Sequence, residues 1–112
     1  MKRESAAFAS NQLRAGDRDR YLATLILGPK EREALTALYA FNADVASVRD
    51  RAREPAAGEI RRQWWADALT GEGHGAVRQN PLADALLDVI PEYGLPGPPL
   101  SRMIEARRFE PY

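Results

Sequence analysis

Three observations in the sequence predict an all-α fold. Apolar residues recur at three- and four-residue spacing along most of the chain. Glycine and proline, eight of each, gather mainly in short breaks between the periodic stretches. The run from Tyr21 to Leu27 could form a strand, but no strand signal survives the helical periodicity. The 112 residues make one domain at most, and 45% hydrophobic content supports a modest core.

The first helix is expected over about residues 4–14, ending near Gly16. Asp17 suits the cap of a second helix over residues 19–27, because its carboxylate can accept from free backbone N–H groups. Gly28 breaks that helix. Pro29 fits the first turn of a third, where its missing N–H costs nothing. The third helix runs to about Ala52 and stops at Glu54-Pro55, since the residue before proline is pushed out of the α region. A fourth is expected over residues 57–70, its apolar residues Ile60, Trp64 and Ala68, with Trp65 and Leu69, following three-four spacing. Residues 71–75 carry too many glycines for a helix. Asn80-Pro81 opens a fifth over residues 82–93, with Leu82, Leu86, Val89, Ile90 and Tyr93 inward and Pro91 kinking or ending it. Residues 94–99 read as a rigid turn, and residues 100–109 as a sixth helix.

The third helix is the most informative. Leu38, Tyr39, Phe41, Val45 and Val48 share one broad apolar side, and Asn42, Arg49, Asp50 and Arg53 fall on it too. Polar groups aimed inward mark a polar cavity or its remnant, with Asp50 paired to Arg49 or Arg53. Alternatively, the last turns leave the core and Arg49 to Arg53 reach water.

Composition excludes several classes. Lys+Arg and Asp+Glu number 16 each, so nothing suggests the cationic excess of a nucleic-acid binder. Without cysteine there is no disulfide, thiolate chemistry or cysteine metal site, and a single histidine rules out a multi-histidine one. No apolar run approaches the roughly 20 residues of a membrane span, and the first twenty residues lack a signal-type apolar block. A cytoplasmic protein is the default expectation, with a place at a membrane periphery left open.

Leu25-Ile26-Leu27-Gly28-Pro29, Arg32, Ala37-Leu38-Tyr39-Ala40-Phe41, Asp50 and Trp64-Trp65 together resemble the N-terminal part of the squalene/phytoene synthase family. His74 and the segment Met103 to Arg108 fit as well. The resemblance implies the N-terminal helical subdomain of an isoprenoid synthase-like fold, roughly the first third of a family member, as a single truncated domain over residues 1–112. Family enzymes join two prenyl diphosphates head to head. They hold Mg²⁺ on acids four residues apart, which share a helix face and bridge metal to diphosphate.

The departures from that pattern shape the expectation. Asp50 matches the second acid, while the first falls on Ala46 and its neighbour on Ser47. Asp44 is no substitute, because it points about 120° away from Asp50 on the helical wheel. The upstream diphosphate-holding segment reads Asp17-Arg18-Asp19-Arg20-Tyr21, and the family's second acidic motif would lie beyond Tyr112. The variant Ala40-Phe41-Asn42 to Val48-Arg49-Asp50 is similar to a non-catalytic branch that includes a mitochondrial complex I assembly factor. A non-catalytic or fragmentary binding or assembly member is therefore expected, with Asp50, Asn42, Arg49 and Arg53 as a vestigial diphosphate face and no catalytic residue. The alternative is part of a prenyl-diphosphate transferase, with Asp50 as the surviving Mg²⁺ ligand and Mg²⁺ as cofactor. Partners implied are a prenyl diphosphate or lipid, and a second copy or another protein on an apolar face left exposed by Leu38, Phe41, Val45 and Val48.

Other features take plainer readings. One tryptophan of Trp64-Trp65 belongs in the core and the other at a rim. His74 reads as a loop residue. Asp84 and Asp88, four apart, read as a solvated face rather than a metal pair. Arg61-Arg62 and Arg107-Arg108 read as surface ion pairs rather than headgroup binders. The glycine loop lacks the lysine and the strand of a phosphate-binding loop.

Overall fold

The computed structural model describes residues 1–46, 55–71 and 76–106, with Pro55 described by its backbone. Among them are six α-helices and no strand: α1 (Arg3–Gly16), α2 (Arg18–Thr24), α3 (Pro29–Ala46), α4 (Pro55–Thr70), α5 (Pro81–Tyr93) and α6 (Gly97–Glu105), with a 3₁₀ turn at Val77–Gln79. The continuation of the third helix to Ala52 lies outside the described residues, as do His74, Arg107 and Arg108.

Local chemistry explains the boundaries. Asp17 caps α2, accepting from the Arg20 N–H at 3.3 Å. That helix ends at Thr24, three residues early, and a tight turn follows in which Leu27 N–H donates to the Thr24 carbonyl at 3.2 Å. Asn80 caps α5, accepting from Leu82 and Ala83 N–H at 3.0 and 3.1 Å. Gly94, at φ 61°, takes the left-handed turn that ends α5, and Leu95 N–H returns to the Ile90 carbonyl at 2.9 Å. Pro91 does not stop α5, which runs on to Tyr93. Residues 94–99 are not all turn: α6 starts at Gly97, because Pro98 and Pro99 are tolerated in a first turn. Pro55 likewise opens α4.

Three helices, α1, α3 and α5, pack chiefly on one another, while α4 packs chiefly on α6. The core joins Ala9 and Leu13 of α1, Ala40, Phe41 and Val45 of α3, Trp65 of α4, Leu82 and Leu86 of α5, and Leu100 and Ile104 of α6. Ala37 and Ala85 meet with Val89 in a second small cluster, where short side chains let α3 and α5 approach closely. Trp65 is fully buried and Trp64 half-buried, as the paired tryptophans suggested.

Burial overturns several expectations. Phe41 and Val45 are in the core, Leu38 is half-buried, and Val48 lies outside the described residues, so the expected exposed patch is not formed by these residues. They are covered because α1, α5 and α4 close over α3. Exposed instead are Leu22, Leu25 and Ile26 around the end of α2. Ile60, part of the apolar spacing of α4, is 71% exposed, and Tyr93, expected inward, is exposed at the end of α5.

Candidate functional site

The sequence places the site on the last turns of α3 and their continuation. Asn42 is described and sits half-buried on α3. Asp50, Arg49 and Arg53 lie outside the described residues, as does their expected pairing. Ala46 ends α3 and is half-buried. At this position, where the resemblance puts the first metal-binding acid, a methyl group has no donor to offer.

Helix α4 braces this end of α3. Asp44 is buried, and one of its carboxylate oxygens accepts both Trp65 Nε1–H at 2.7 Å and Arg61 Nη2 at 3.2 Å. A buried indole needs an acceptor for its N–H, and Asp44 supplies it across 21 residues of chain. The Trp65 ring meets Phe41 edge-on at 4.9 Å and Trp64 at 5.0 Å. Arg61 also lies over the Trp64 ring at 5.5 Å, so its guanidinium is held from two sides. Sequence reasoning considered Asp44 only as a metal acid and missed this role. The signal was a core tryptophan without an assigned acceptor. Among the described residues no cluster of three or more His, Cys, Asp or Glu could hold a metal ion. The donors described at this end of α3 do not fit Mg²⁺: Ala46 offers none and Asp44 is engaged by Trp65 and Arg61.

Two further polar clusters tie the helices together. Asp84 is only 2% exposed, which corrects its reading as part of a solvated face. Its carboxylate accepts the Ser5 hydroxyl at 2.7 Å and Arg78 Nη1 at 2.9 Å. The Ser5 hydrogen bond, then Arg78, hold its pKa below the usual carboxylate value against the opposing effect of burial. Arg78 also reaches Asp88 at 2.9 Å, so the i,i+4 acids share a guanidinium rather than a metal. Arg62, expected at the surface, is buried. It pairs with Glu59 and, at 2.7 Å, with Glu105 of α6. The hydrogen bond to Glu59 is the main reason its pKa is raised, so the charge is permanent.

Comparison with known proteins agrees with this helical frame. The squalene/phytoene synthase family profile matches residues 13–112. Complex I assembly factor 6 of NADH dehydrogenase (ubiquinone) from Mus musculus is 30% identical over 95 residues, covering 85% of this chain and 28% of that protein. The Rattus norvegicus protein of the same name is 28% identical over 104 residues, covering 93% of this chain and 31% of its own length. The Homo sapiens protein is 40% identical over 53 residues, covering 47% and 16%. This chain thus spans less than a third of the length of these relatives. No solved structure matches it. With the profile matched from Leu13 onward and every described element helical, the chain belongs to the squalene/phytoene synthase family.

Proposed function

We propose that this chain is a non-catalytic member of its family that acts by binding another protein, in the manner of an assembly factor. The observation that carries the reading is the state of the acidic face. Position 46 is alanine, and the nearest buried acid, Asp44, holds Trp65 and Arg61 instead of a metal. An isolated Asp50 is a poor Mg²⁺ site, because bridging metal to diphosphate takes several carboxylates on one face. The similarity to proteins named as complex I assembly factors supports a role exercised on a protein partner. No helix among the described residues is long and apolar enough to cross a membrane. That is compatible with a cytoplasmic seat or one against a membrane face.

Asp50, Asn42, Arg49 and Arg53 form, in this proposal, a remnant diphosphate face without turnover. Incubating the chain with Mg²⁺ and labelled farnesyl or geranylgeranyl diphosphate, followed by product analysis, tests it. No squalene- or phytoene-type product is expected. Reproducible product, abolished by Asp50→Asn, would overturn the proposal in favour of the prenyl-diphosphate transferase reading and its Mg²⁺ cofactor.

A further inference from the structure

A cleft of about 310 Å³ lies between the first half of α1 and the first turns of α3. Its polar members are Arg3 and Ser10 of α1 with Arg32, Glu33 and Thr36 of α3, and Ala6, Ala7 and Leu27 supply apolar wall. Thr36 is only 5% exposed. A helical threonine ordinarily turns its hydroxyl back to a carbonyl of the preceding turn. Thr24 and Thr70 do so. The Thr36 hydroxyl has no hydrogen-bond partner among the described residues. No fully enclosed side-chain oxygen or nitrogen there lacks a partner, so the Thr36 oxygen is not sealed in. It opens on the cleft that its residue lines. Arg32, half-buried on the same wall, likewise has no ion pair, hydrogen bond or ring contact among the described residues. Arg3 reaches across from α1 to Glu33 at 3.6 Å, with both side chains open to solvent.

We propose that this cleft binds a phosphate monoester. Two guanidiniums and two hydroxyls converge on it against one carboxylate, which leaves an excess of positive charge and of donors. A monoester carries close to two negative charges at neutral pH and three strong acceptor oxygens. Arg32 and Arg3 take those oxygens, in the forked geometry that guanidinium offers phosphate. The Thr36 hydroxyl donates from the floor and Ser10 from the α1 side. The volume exceeds that of inorganic phosphate, so the ester carbons have room against Ala6, Ala7 and Leu27. What separates Arg3 and Arg32 from other exposed cations is this shared cleft with a buried hydroxyl that has nothing else to bond. The site is distinct from the degraded acidic face. Thr36 precedes Ala46 by ten residues, about 15 Å along α3. Its α1 wall also lies ahead of the residues that match the family profile. The proposal goes beyond the non-catalytic reading and stands or falls without it.

Calorimetric titration of the intact chain with inorganic phosphate, at constant ionic strength, tests the site. Saturable one-to-one binding is expected, with a dissociation constant of about 1 mM or lower. Arg32→Gln should weaken it about tenfold, and Thr36→Val about fivefold. Thr36→Val should melt no lower than wild type, because that hydroxyl has no partner within the fold to lose. Glu33→Gln should tighten binding about twofold, since it frees Arg3 and removes the competing charge. Absence of saturable binding overturns the proposal. So does binding indifferent to Arg32→Gln or Thr36→Val, binding weakened by Glu33→Gln, or a clear loss of stability in Thr36→Val. Vesicles containing phosphatidic acid, a monoester headgroup, or phosphatidylglycerol, a diester, separate the sources. Binding to the first alone, competed by free phosphate, assigns the ester to a lipid. Binding to free phosphate and to neither vesicle assigns it to a soluble compound. Equal binding to both vesicles without binding of free phosphate marks a general anionic-membrane surface and overturns the proposal.

Discussion

Asp44 and Asp84 show how the same residue type does different work from a surface acid. Asp44→Ala leaves the Trp65 N–H buried without an acceptor, a loss of about 1–3 kcal/mol of stability. Asp44→Asn keeps an amide oxygen for Trp65. It removes the charge facing Arg61, which is partly exposed and therefore screened, so the loss of that pair should cost less than about 1 kcal/mol. Urea unfolding of the two variants separates the hydrogen bond from the ion pair. Asp84 gives a pH-dependent prediction. Its folded-state pKa is depressed, chiefly by the Ser5 hydroxyl. Its contribution is therefore full above the unfolded value of about 4 and is lost as pH falls through the folded value. Ser5→Ala removes about 1.5–3 kcal/mol at neutral pH, the range for a hydrogen bond to a charged group. The gap between wild type and Ser5→Ala should begin to narrow as pH falls below about 4, where the unfolded chain takes up the proton, and close only once pH has passed through the lower folded value of Asp84. A gap that stays constant down to acid pH would show that Ser5 acts through packing alone.

At the scale of the element, α5 depends on its two ends. It packs against both α1 and α3, and its large buried apolar side chains are Leu82, Leu86 and Val89. Asn80 satisfies two backbone donors at its start, and Gly94 takes the positive φ at its end. Asn80→Ala should cost about 1 kcal/mol. Gly94→Ala should cost a similar amount, about 1–2 kcal/mol, because a Cβ is strained in the left-handed region. The two sites sit at opposite ends of the helix and share no partner, so the double variant should lose the sum in thermal or urea denaturation. The same logic explains α6, which begins three residues before its expected start: two prolines there fix φ for a first turn instead of preventing one.

The described helices divide into a body of α1, α3 and α5, with the short α2 against α1 and α3, and an attached pair. α1, α3 and α5 bury the larger shared surface, and α4 with α6 join it mainly through Trp65, Leu100 and Ile104. Arg62 pins that pair internally through Glu59 and Glu105, while Asp44 pins α4 to α3. Native-state hydrogen exchange should therefore show amides of α4 and α6 opening at lower free energy than those of α1, α3 and α5. Asp44→Ala should lower protection in α4 and α6 while leaving α1 and the middle of α5 nearly unchanged. Equal protection across all the helices would mean that the two parts open as one unit.

Much of the helical frame was legible in the sequence because its signals are local. Asp17 and Asn80 cap within three residues of themselves, Gly94 and the prolines act on their own dihedral angles, and the three-four spacing of Leu82, Leu86 and Val89 is a property of one helix. The family was legible in the same way, from short ordered motifs along the chain. Of the candidate diphosphate face, the sequence supplied the alanine at position 46, while three of its four residues lie outside the described part. What only the tertiary structure decided is which polar groups go inside and which apolar ones stay out. Asp84 is buried because Ser5, 79 residues away, and Arg78 converge on it. Asp44 is buried because Trp65 arrives from another helix. Ile60 and Ile26 are exposed because no helix among the described residues covers them. Helical periodicity tells which residues share a face. Whether that face meets protein or water is set by the packing of distant segments, where burying a carboxylate becomes favourable once enough donors surround it.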